Sequence, residues 1–297
     1  MKKALLGLAF GTLSFSAYSV CNLPQAEETF SRRGENRAYA LKAANMYGQY
    51  ANTISGVEKA ECLTNKSEAL YFYALSSNGK RKEKMALYWD GYEAGLQAVR
   101  ILGDRAGDQK AAVNPKMRGN ESALSKAMWA LGINIGKWGK LKGPFSALGK
   151  WNKILKPRIK DAYRLDKTVA DYGIQRLAGK ALLVLGGNIN GKSGFDFIRE
   201  GYQATKHADS MLTRNLATTT YFLEALAKRD DVDTFCDLYD ELADVMDSGR
   251  NNDSILEETF FTPLPNGGKR GLAPDARLEY KEFLGEKKVH KHYNREC

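Results

Sequence analysis

An all-α protein of stacked helical hairpins is the architecture this sequence points to, on three features. Apolar residues return at three- and four-residue intervals along most of the chain, no run alternates as a half-buried strand does, and two pairs of segments repeat at offsets of 41 and near 39 residues.

The helices follow in order from that spacing and from the breakers between them. Spans over 25–52, 58–64 and 66–77 come first, the last stopping short of Gly79, and 82–103 follows. A turn-rich run, 103–115, separates these from a helix over 121–140, and Gly143-Pro144 sets off another over 145–155. Pro157 precedes a helix over 158–185, the glycines of 186–194 interrupt it, and 194–208, 211–228 and 231–247 complete the array before Ser248-Gly249. The helical repeat domain spans 20–248, and residues 249–297 read as a Pro/Gly-rich extension tethered to it.

Sliding the chain by 41 lays "ALYWDGYEAG" (86–95) on "AMWALGINIG" (127–136), so that Ala86 meets Ala127, Gly91 meets Gly132 and Gly95 meets Gly136. Further on, "LAGKALLVLG" leading into "SGFDFIREGYQATK" matches "LATTTYFLEAL" leading into "VDTFCDLYDELADV". Each unit reads as a helix with small residues near its middle, a short turn, and a second helix carrying Phe or Tyr on one face. One such pair cannot bury its own apolar stripe, so the pairs must stack. Glycine inside a helix costs about 1 kcal/mol relative to alanine, which close helix approach has to offset.

The first residues, "MKKALLGLAFGTLSFSAYS", have the parts of a secretory signal over 1–19. Lys2 and Lys3 are its basic start, 4–15 its apolar stretch, and Ala17-Tyr18-Ser19 a site cleavable before Val20. Cys21 stands where a lipid-modified cysteine would, but Val20 and Tyr18 do not fit a lipobox. After cleavage no stretch reaches the roughly 18 uninterrupted apolar residues of a spanning helix, so export to the periplasm without a transmembrane anchor is expected. In an oxidising compartment the four cysteines suggest two disulfides, and three connectivities are possible. Cys21 with Cys62 and Cys236 with Cys297 are favoured because each bond ties a terminal segment to the helical body.

The formal charge is +10, and it is unevenly spread. Residues 122–160 hold nine basic side chains and no acid, whereas 230–258 hold eleven acids against Arg250 alone. A chain polarised this way could dock to itself, to an acidic partner or to an anionic head group.

The run "ALSKAMWALGINIGKWGKLKGPFSALGKWNKILKPRIKDAYRLDKTVADYGIQRLAGKALLVLGG" resembles the T-component family of tripartite ATP-independent periplasmic (TRAP) transporters. The residues that carry the likeness are Trp129, Gly132, Gly136 and Trp138, then Ala147-Leu148-Gly149-Lys150, then Leu177, Gly179, Leu185, Gly186 and Gly187. It covers about 66–247. The resemblance implies a tetratricopeptide-like periplasmic protein that assembles with itself as a trimer, docks a solute-binding protein and offers a cavity for an apolar ligand. Two departures stand out: members are often lipoproteins, and the extension after Gly249 has no counterpart in the family's pattern. A generic tetratricopeptide-like scaffold of the cell envelope would share many of these residues.

"GGNINGKS", 186–193, satisfies the phosphate-loop pattern with Gly186, Gly191, Lys192 and Ser193. Its context opposes a nucleotide site: the preceding apolar run continues a helical pattern, so the segment reads as a turn between paired helices with Ser193 near the next N-cap. His290, His292 and Cys297 share a short tail, but an oxidised Cys297 cannot ligate a metal, and no metal or other cofactor is expected. No serine or cysteine stands beside a plausible base, and no catalytic residues are assigned. What remains is aromatic and basic. Trp138 and Trp151 are each closely followed by lysine and, with Phe145, Lys142 and Lys150, form the candidate binding set for an amphipathic anion, a carboxylate with an apolar tail. Nucleic acid would use a similar combination, but export and the lack of a nucleic-acid fold signature exclude it as a partner.

Overall fold

The computed structural model describes residues 21–103, 119–263, 268–285 and 287–297; for Phe145 and a few others, only the backbone. The signal segment, 1–19, its cleavage site and most of the turn-rich run 103–115 lie outside the described residues.

The chain is mostly helical. The helices are α1 (Pro24–Ser31), α2 (Ala38–Ala51), α3 (Gly56–Ser76), α4 (Arg81–Ile101), α5 (Glu121–Lys142), α6 (Pro144–Lys150), α7 (Lys156–Leu165), α8 (Val169–Leu185), α9 (Gly194–Thr205), α10 (Leu216–Ala227) and α11 (Val232–Ser248). Boundaries differ from expectation where local polar groups intervene. The first long span breaks at 32–37, where Arg32 and Glu35 pair at 2.7 Å. The spans 58–64 and 66–77 are one helix, α3. The 158–185 span breaks at Asp166, whose carboxylate accepts from the Thr168 amide and hydroxyl. Pro157 does not stop a helix: it sits in the first turn of α7, where its missing N–H costs nothing, and a π-helical turn (Trp151–Leu155) joins α6 to α7.

The helices pack as sequential neighbours, and α2 with α3, α3 with α4, and α4 with α5 run antiparallel. Ser67 of α3 donates to the Gly91 carbonyl of α4 (2.7 Å), and Asn134 of α5 donates to the Ser67 carbonyl (2.9 Å), locking three helices through one buried polar knot. α4 and α5 touch at backbone distance: a Cβ on Gly95 would lie 2.9 Å from Leu131 Cα. In the same fashion α5 runs against α7 and beside α8, and α8 against α9 and beside α10. The offset of 39 matches α8 with α10 and α9 with α11 along the sequence, and α8 and α10 also touch, Arg176 with Thr218 and Lys180 with Glu224. The offset of 41 superposes α4 on α5, which are antiparallel partners rather than equivalents, because both present small residues to a tightly packed neighbour. Gly136 is not one of these contacts, since its Cβ position is open.

One apolar cluster fills α1 to α8 and a second fills the space from α9 onward. The extension is structured. Asn252 caps α12 (Asp253–Thr259), β1 (Phe261–Pro263) pairs antiparallel with β2 (Lys269–Gly271), and α13 (Ala273–Leu284) and α14 (Lys287–Glu296) follow. Phe260, Ala276, Phe283 and Val289 carry it into the second core. Asp275 of α13 pairs with Arg33, whose guanidinium lies between the rings of Phe30 and Phe72, so the extension reaches back to the first helices. Disulfides join Cys21 to Cys62 and Cys236 to Cys297, the favoured pairing, as an oxidising extracytoplasmic compartment permits. Among the described residues no helix is long and apolar enough to cross a membrane.

The start of α8 has an unusual backbone. Ala170, Asp171 and Tyr172 all have positive φ, a left-handed turn made without glycine. Such residues cost about 1–2 kcal/mol each and persist only where their surroundings hold them. Here Arg176, buried, donates to the Ala170 carbonyl (2.6 Å), to that of Asp171 and to Thr218 Oγ1 (3.1 Å), while Arg214 pairs with the Asp171 carboxylate at 2.7 Å.

Candidate functional site

The candidate site is a groove of about 530 Å³ along the outer face of α4. Its lining from that helix is Trp89, Tyr92, Glu93, Leu96, Gln97 and Arg100, residues that recur every three or four positions and so share one side. The opposite side of α4, Gly91, Ala94, Gly95 and Ala98, is buried against its neighbours, which fixes the direction in which the lining faces.

Lys150 reaches the groove from α6. Gly143, at φ 119°, ends α5 in a conformation glycine tolerates, and Pro144 starts the next helix at once. The chain thereby turns back toward α4, and the Lys150 ammonium lies 5.0 Å from the Trp89 ring centre and 5.8 Å from that of Tyr92. Trp138, from α5, packs on Trp89 with ring centres 5.3 Å apart and closes the aromatic floor from behind. The Trp89 indole N–H donates to Glu93 (2.8 Å), which orients the ring. Burial pushes the Tyr92 hydroxyl above its usual range, so it stays neutral.

The arrangement combines stacked aromatic faces with two cations, Lys150 and Arg100, against one carboxylate, Glu93, whose oxygen is engaged by the indole. A flat or chain-like apolar body can lie on the rings while an anionic end meets the cations. Proton transfer or nucleophilic attack would need a paired acid and base or an activated nucleophile, and the lining presents neither.

Of the expected binding set, Lys150 lines the groove and Trp138 supports it. Trp151 lies in the core at 3% exposure, next to Lys150 in sequence but facing inward; it follows a lysine-bearing segment without sharing that segment's exposed face. Lys142 is exposed at the end of α5 and does not line the groove. The Phe145 side chain lies outside the described residues. Trp89, Tyr92 and Arg100 were not singled out for binding, although their spacing on one helix face was there to be read.

The phosphate-loop pattern has a different local structure. Helix α8, not a strand, precedes it, and Ile189 and Lys192 exchange backbone hydrogen bonds of 3.1 and 3.0 Å across a tight turn. Lys192 donates to Tyr163 Oη (2.7 Å) and Glu200 (2.5 Å), and Ser193 caps α9 in a box with Asp196. Burial alone would raise the Glu200 carboxyl, but hydrogen bonds from Lys192, Tyr163 and Lys167 outweigh it and hold the group at about 2. His290 and His292 serve packing: His290 Nδ1 bonds Tyr239 Oη at 2.9 Å, and His292 meets Phe235 edge to face. No group of metal-ligating side chains is found among the described residues. The sequence matches no protein-family model and no curated protein.

Proposed function

We propose that this protein is a non-catalytic periplasmic adaptor, a tetratricopeptide-like stack of the TRAP T-component kind. It docks a solute-binding protein and holds an amphipathic anion in the α4 groove. The observation that carries the reading is the groove itself: Trp89 and Tyr92 form an aromatic floor, Trp138 packs on Trp89, and Lys150 and Arg100 place positive charge at its edge. The packing of the helices as sequential neighbours supports a repeat architecture, and the two disulfides fit an exported protein.

Calorimetric titration of the mature protein with dodecanoate tests the groove. Trp89→Ala and Lys150→Glu should each weaken binding by about tenfold, the order expected for loss of an aromatic anchor or a desolvated cation. Lys192→Ala, in the turn before α9, should leave it unchanged. A wild type that binds no dodecanoate, releases no amphipathic anion on extraction and captures no solute-binding protein would overturn the proposal.

A further inference from the structure

The two charge blocks that the groove does not use become two stripes on outward-facing helices. In the π turn and α7, Lys153, Lys156 and Lys160 are all exposed, with exposed Lys142 upstream, and none has an ion-pair partner among the described residues. On α11, Asp233, Asp237, Asp240, Asp244 and Asp247 are exposed at alternating four- and three-residue steps, so they run along one side of the helix. The other side carries Phe235, Leu238, Leu242 and Met246 into the core. Within the chain the stripe is poorly neutralised. Asp240 accepts from Tyr293 (2.6 Å), Asp247 pairs with an exposed Arg250, and Asp233, Asp237 and Asp244 have no ion-pair partner among the described residues.

Like charges one turn apart repel, so a helix that keeps five of them on one face gives up stability unless cations arrive from outside. The complement lies on the same chain. Lys153, Lys156 and Lys160 have the same three-then-four spacing as Asp237, Asp240 and Asp244. We propose that the acidic stripe of α11 in one copy docks on the basic stripe of α7 in a second copy. The two surfaces differ, so the contact is head-to-tail, and each copy has both halves to offer. It is made of exposed charges, so it assembles fast and weakens with salt. This inference does not depend on the groove, which lies along α4.

Light scattering coupled to size exclusion, on the mature chain at low and high salt, tests it. The wild type should exceed the monomer mass at low salt and fall to it at high salt. Lys153→Glu/Lys156→Glu/Lys160→Glu and, separately, Asp237→Lys/Asp240→Lys/Asp244→Lys should each weaken self-association by about tenfold or more. Both triple variants should keep the wild-type circular dichroism, because every substituted side chain is exposed. Mixed together they should form a complex again, since one presents only acidic stripes and the other only basic ones. A wild type that is monomeric at low salt, a triple variant that assembles like the wild type, or a mixture that stays monomeric would overturn the proposal. So would a monomeric wild type that instead sediments with phosphatidylglycerol vesicles, which would give the basic stripe to a lipid surface.

Discussion

Arg176 is the residue on which the least conventional backbone in the fold depends. Removing its guanidinium leaves the carbonyls of the left-handed turn at 170–172 without donors inside a packed region. Arg176→Ala should cost about 3–5 kcal/mol, the range for a buried charged network broken on one side, read as a lower urea midpoint at unchanged slope. Two carboxylates give opposite pH signatures. Glu200 sits at about 2 against an ordinary 4.5, so it contributes stability above 4.5 that is lost as pH falls toward 2. Glu200→Gln should remove that acid-side slope. Burial pushes Glu61 up to about 7, against the pull of Lys126 and of the Cys21 backbone. Its stabilising neutral form is complete below 4.5 and is lost as pH rises through 7, so Glu61→Gln should raise the melting temperature at pH 8 and leave it unchanged at pH 4. None of these environments was legible in the sequence, because they are made by side chains distant along the chain: Tyr163 and Glu200, or Arg176 and Thr218.

For the helices themselves, legibility tracked the length of the apolar pattern. α4, α5 and α11 were expected to within a few residues because each has long three- and four-residue periodicity and a clear breaker at its end. The helices of the extension were missed because its proline and glycine content reads as loop. Yet Leu256 and Phe260, then Ala276, Tyr280 and Phe283, already had helical spacing. Small residues in α4 and α5 announced close packing but not which helices were equivalent, since a glycine contact looks the same from either partner. That contact makes a sharp prediction. In Gly95→Ala the new methyl meets the α5 backbone at Leu131, so the roughly 1 kcal/mol gain in helix propensity should be outweighed by an overpacking cost of about 1–3 kcal/mol. Gly136→Ala, where the space is open, should stabilise the protein, and thermal melts of the two variants should shift in opposite directions.

Across the whole molecule, a helical stack is held at both ends. The Cys21–Cys62 bond ties the segment before α1 to α3, the Cys236–Cys297 bond ties the last residue to α11, and the Arg33–Asp275 pair joins the turn after α1 to the extension. Cys236→Ser/Cys297→Ser should cost about 2–4 kcal/mol, with hydrogen exchange rising first in α14, whose end that bond secures. Tryptophan and lysine that stand together in the sequence as one candidate set are parted by the fold. Composition along the chain brings Trp151 and Lys150 together, whereas the fold turns one inward and lays the other over Trp89, sixty-one positions away. Whether the α4 groove receives an amphipathic anion is decided by a crystal of the mature protein grown with 12-bromododecanoate. Anomalous bromine density should lie along the Trp89 and Tyr92 rings with the carboxylate beside Lys150 or Arg100. An empty groove, or bromine density only elsewhere on the molecule, would contradict it.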